Sequence, residues 1–98
     1  MTLVKNLIMM NIGGNSMIQL ISKILEQALQ SDKIHDINYT DLAESIVNVI
    51  MEYDSDNGYY CMIDEIQILI MRKGYRFFTF IECEEIYNKI LKVMGAHI

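Results

Sequence analysis

The densest set of oxygen donors in the chain is Asp54-Ser55-Asp56-Asn57-Gly58, with Asp64-Glu65 behind it. Oxygens at that density invite comparison with a helix–loop–helix calcium site. Such a loop needs ligands at positions 1, 3, 5 and 12 and a glycine at 6. Counted from Asp54, Asp56 and Glu65 fall at positions 3 and 12, but positions 5 and 6 are Gly58 and Tyr59. A count from Tyr53 restores the glycine and loses the first ligand. The segment therefore reads as a polar turn between helices. The softer ligands, Cys61, Cys83, His35 and His97, show neither C-x-x-C nor H-x-x-x-H spacing. No serine occupies a G-x-S-x-G turn, and neither cysteine has a histidine close in sequence. Gly13-Gly14 ahead of a helix can aim N–H donors at an anion, but with no lysine and no further glycines it reads as a turn. No catalytic residue, metal ligand or cofactor-binding residue is assigned, and the chain reads as a non-enzyme.

The chemistry that is left is recognition. The net charge of −5 is unevenly spread. From Glu26 to Glu65 there are ten acids and one base, a net of −9, whereas from Met71 onward five bases and three acids give +2. An acidic body repels phosphate backbones and attracts basic proteins. Six tyrosines, with Tyr59 and Tyr60 adjacent, offer partner anchors or half-buried core edges. The candidate interaction surface is Glu44, Glu52, Asp54, Asp56, Tyr59 and Tyr60. The expected partner is a protein with a basic surface. The bases Arg72, Lys73 and Arg76 suggest a helix-turn-helix nucleic-acid binder as an alternative. The helix that would enter the groove, however, opens with Glu82, Glu84 and Glu85, so nucleic acid is disfavoured.

Ninety-eight residues make one domain, spanning 1–98. Hydrophobic residues make up 52%, above the roughly 45–50% usual for globular chains. The surplus suggests a surface buried against a partner or a second copy, hence a homo-oligomer. Two cysteines are too few for a disulfide-stapled secreted domain. They read as buried small apolar residues in a reducing compartment, which places the protein in the cytoplasm. The apolar run Leu7 to Ile12 is too short to span a membrane and lacks a cleavage site.

Periodicity divides the chain into helices at about Met17–Gln30, Thr40–Tyr53, Met62–Lys73 and Phe80–Met94. Ser16 with Gln19 and Thr79 with Glu82 make capping boxes, and Phe78 can staple onto Cys83. Asn38 or Thr40 caps the second helix. Met17, Leu20, Ile21, Ile24, Leu25, Ala28 and Leu29 form the apolar stripe of the first. In the third, Ile66, Ile68 and Ile70 alternate as in a strand, but Asp64-Glu65 at one end and Arg72-Lys73-Gly74 at the other favour a helix. Gly95 reads as the stop of the fourth. Thr2–Ile12 is either helix or strand, and Tyr75–Phe80 is either a short strand or an aromatic connector. The fold expected is mainly α: a small bundle of four to five helices, with a two-stranded hairpin of residues 2–12 and 75–80 as the variant.

Over Ile21–Ala28, Asp41–Val49 and Ile63-Asp64-Glu65-Ile66-Gln67 through Gly74-Tyr75, the helix order resembles the ATP-cone, a nucleotide-sensing regulatory domain. That family carries Lys-Arg-Asp-Gly in its N-terminal hairpin where this chain has Met9-Met10-Asn11-Ile12-Gly13-Gly14, and the third helix here is about one turn shorter. The resemblance implies a small-ligand sensor, which with calcium stands as an alternative. The primary reading is a small acidic regulatory protein, an inhibitor, adaptor or accessory subunit, that docks on another macromolecule.

Overall fold

The computed structural model describes residues 16–30, 35–53 and 55–97. They form four helices: α1 (Ser16–Leu29), α2 (Tyr39–Glu52), α3 (Ser55–Gly74) and α4 (Phe80–His97). The described residues contain no strand. The helices close a ring, in which α1 packs on α2 and α4, and α3 packs on the same two. One apolar cluster fills the middle, and no charged side chain among the described residues is buried.

Two of the three expected caps are seen, at Asn38 and Thr79, whereas Ser16 is itself the first residue of α1. Asn38 is extended (φ −84°, ψ 90°), and its side chain accepts the Asp41 N–H at 3.0 Å, so α2 starts at Tyr39. Before α4, the Glu82 N–H donates to Thr79 Oγ1 at 3.2 Å, and the Thr79 N–H donates to Glu82 Oε1 at 2.9 Å. This is the reciprocal capping box, and Phe78 and Cys83 on either side of it are both buried in the core, as a hydrophobic staple requires. At the far end of α1, Gln30 takes a left-handed conformation (φ 45°). Arg76 Nη1 donates to Leu29 O at 2.6 Å, satisfying a terminal carbonyl.

The third helix settles the choice between periods 2 and 3.6. Ile66 and Ile70 have no exposure, whereas Ile68 is 42% exposed. A strand would put all three on one face. The same helix starts earlier than expected. The stretch read as a polar turn, Asp54–Gly58, is helical from Ser55 onward, and only a kink at Gly58 (φ −130°, ψ 16°) breaks it. The first turns hold almost no aliphatic residues, so hydrophobic spacing misses them. Gly58 brings its backbone against Tyr53, whose Cδ1 would lie 2.7 Å from any Cβ there. The calcium spacing of Asp56 and Glu65 therefore runs along a helix rather than around a loop, and Asp54 lies outside the described residues.

One open choice is decided and two expectations are corrected. Tyr75–Thr79 is a connector and Phe80 opens α4, so residues 75–80 form no strand; residues 2–12 lie outside the described set. Gly95 does not stop α4, which runs through it to His97; its φ is not positive, so the left-handed C-cap that makes glycine a terminator is absent. In α1, Ile18 is buried and Leu20 exposed, a rotation of the apolar stripe toward α2 and α4 together.

Candidate interaction face

Of the six residues expected to form one surface, Glu44 is set apart from Tyr60, and Asp54 lies outside the described residues. Glu44 is exposed on the first half of α2. Its neighbours Asp41 and Ser45 take Lys73 Nζ at 2.7 and 2.9 Å, which sets that half of α2 against the C-terminal end of α3. Tyr60 stands 13 positions before Lys73, about 20 Å along a helix. Glu52 is exposed at the end of α2, and Asp56 belongs to the first turn of α3.

Tyr59 and Tyr60 have opposite roles. Tyr59 is half-buried, and its hydroxyl donates to Glu84 Oε2 at 2.5 Å. Its ring meets Tyr60, Phe80 and Tyr87 edge-on at 5.6, 6.4 and 5.7 Å. The hydrogen bond to Glu84, then burial and the Glu84 charge, push the phenol up to about 12. Tyr59 is thus the strut that joins α3 to α4. Tyr60 is 72% exposed and stacks on Phe80, with centroids 5.6 Å apart and planes at 26°. Next to Phe80, Ile81 is 67% exposed. The sequence reading missed Ile81, although its position off the Cys83–Ile86–Tyr87–Ile90 stripe was a signal. The Tyr60–Phe80 pairing links residues 20 positions apart and had no signal in spacing.

The bases of the nucleic-acid alternative are largely engaged within the fold. Lys73 pairs with Asp41, and Arg76 caps α1. Arg76 also lines a small hollow with Gln30, His35, Ile37 and Tyr75, where His35 and Tyr75 stack at 4.2 Å. The C-terminal end of α1 favours a cation here, and the guanidinium on Leu29 O serves that role.

The cysteines differ. Cys83 is buried, and burial, then the charges of Glu82 and Asp64, push its thiol up to about 11. Cys61 is exposed, contrary to the expectation of two buried thiols, because it lies on the outward side of α3 opposite Ile63 and Ile66. A thiol reagent is expected to titrate one equivalent in the native protein, at Cys61, and two in denaturant. Two equivalents reacting at one rate in native buffer would contradict this placement. The unfolded thiol and phenol ionise near 9.0 and 10.0, so the stability held by Cys83 and Tyr59 is intact below about pH 9. It is lost as the pH climbs through about 11 and then about 12.

Among the described residues, no three acidic, cysteine or histidine side chains converge to hold a metal ion. No described helix is long and apolar enough to cross a membrane. Comparison of the chain with protein-family models, curated proteins and solved structures finds no match. The described residues define a small bundle of four helices in which Tyr60 stacks on Phe80 where α3 meets α4.

Proposed function

We propose that this chain is a non-enzymatic docking domain, an inhibitor, adaptor or accessory subunit, that seats another protein on the face of Tyr60, Phe80 and Ile81. The observation that carries this reading is that Tyr60 and Ile81 are the two most exposed large hydrophobic side chains among the described residues, at 72% and 67%. A small domain has every reason to bury such side chains, because each fully buried one is worth about 1.5–3 kcal/mol. Exposed apolar groups that cluster mark contact sites. Stacking on Phe80 also holds the Tyr60 ring in place, so less side-chain freedom is lost on binding. The exposed free thiol of Cys61 suits a reducing compartment and supports a cytoplasmic protein.

The test is affinity capture from cells that make the protein, with the full chain and the double variant Tyr60→Ser, Ile81→Ser. Both positions are exposed, so helix content should not change. A stoichiometric protein held by the native chain and lost with the variant is expected. If every captured protein survives the substitution, this face is not the docking site.

A further inference from the structure

We infer that the Tyr60–Phe80–Ile81 face receives a lysine- or arginine-rich segment of a foreign protein that carries at least one bulky apolar side chain. The inference rests on the docking reading and adds the chemistry of the partner.

Among the described residues, carboxylates outnumber bases around the apolar centre. On α3, Asp64 follows Tyr60 by four positions and is exposed on the same side. On α4, Glu84 and Glu85 follow Ile81 by three and four positions, and Glu85 is exposed. Glu82 is exposed beside them. Two bases lie farther along the helices. Arg72 lies 12 positions beyond Tyr60 on α3, and Lys89 eight positions beyond Ile81 on α4. At the helical rise these are about 18 and 12 Å along the axes from Tyr60 and Ile81, although Lys89 follows the rim acid Glu85 by four positions and can pair with it. Lys73 is engaged by Asp41, and Arg76, whose guanidinium binds Leu29 O, also acts on the Glu82 carboxylate. A partner that covered the apolar centre without positive charge would leave this rim opposed only by neutral groups. A basic one would gain charge-assisted contacts and faster encounter.

The rim also argues against a second copy as occupant. A two-fold interface places each patch on its own equivalent, which here would set Asp64, Glu82 and Glu85 against the same carboxylates. The chain's own residues 2–12 are apolar but hold Lys5 alone as a base, too little to match the rim.

The test uses the full chain and a labelled synthetic amphipathic peptide of lysine and leucine with one tryptophan, and its twin with glutamate for lysine. Fluorescence anisotropy gives affinity, and light scattering gives stoichiometry. One basic peptide should bind per monomer, more weakly as salt rises from about 50 to about 300 mM, and the acidic twin should not bind. Tyr60→Ser with Ile81→Ser should weaken binding at least about thirty-fold. Asp64→Lys and Glu85→Lys should each weaken it by about tenfold. Leu91→Ser, on exposed helix surface elsewhere, should change little. Absence of binding overturns the inference, as does binding that the face variants leave intact. So does a dimer that the face variants dissolve, because the occupant is then a second copy. If capture from cells still depends on Tyr60 and Ile81 while the peptide fails, the docking face stands and only the basic chemistry falls.

Discussion

Ile66→Ala is expected to lower the unfolding free energy by about 2–5 kcal/mol, while Ile68→Ala, two residues away, should change it by no more than about 0.5 kcal/mol. Ile66 has no exposure and sits midway along α3, the helix that packs on both α2 and α4. Truncation there removes three carbons from the middle of the ring of helices. The neighbouring turns of α3 present Ile63 and Ile70, equally buried and stiff at χ1, which cannot swing in to fill the gap. Ile68 points outward, and its loss leaves no cavity. Against a total stability of about 5–15 kcal/mol for a domain, the first change removes a large share. Urea unfolding followed by circular dichroism checks both: the midpoint should fall for Ile66→Ala with an unchanged slope, and stay put for Ile68→Ala. Equal losses at the two positions would mean that the isoleucines share one face, as in a strand, and would refute the helical α3.

The same isoleucines show how far the sequence could be read. Long amphipathic stretches and paired caps were legible because each rests on local chemistry. Thr79 and Glu82 satisfy one another's backbone within a single turn, and Asn38 does the same for Asp41. The first turns of α3 were not legible. They hold polar residues that read as a loop, and they are helical in continuity with a packed segment, in keeping with the weakness of local preference against tertiary context. Gly95 was misread for a related reason, since a glycine ends a helix only where the backbone turns left-handed. The candidate face was half legible. Tyr60 could be named from composition, but separating it from Tyr59 required Glu84, 25 residues away, whose carboxylate draws the Tyr59 hydroxyl inward. Acidic residues close in sequence, such as Glu44, were grouped with it by charge alone. The fold sends Glu44 to the other end of α3 instead, because Lys73 fixes the start of α2 there.

Gly74→Val is expected to cost about 1–3 kcal/mol, and Gly74→Ala to come out near neutral. Gly74 is buried where the end of α1, the start of α2 and the end of α3 converge. A Cβ at this site would lie 3.2 and 3.3 Å from the two methyls of Leu29 and 3.6 Å from Leu42 Cδ2. Alanine asks Leu29 to yield by a few tenths of an ångström, and its better helix propensity, worth up to about 1 kcal/mol, offsets that. Valine adds two methyls where Leu29 and Leu42 are already fully buried, so the helices must part. The consequence reaches beyond stability. From this corner the connector runs to α4 with Arg76 bound to Leu29 O and Gln67 Nε2 bound to Phe78 O at 2.6 Å each. Those two bonds set where α4 begins, and so where Phe80 meets Tyr60. Gly74→Val should therefore lower both the thermal midpoint and the affinity for the basic peptide, whereas Ile66→Ala at a temperature where it stays folded should lower the midpoint alone. A valine variant with native peptide affinity would show that the corner and the face are not coupled through the connector.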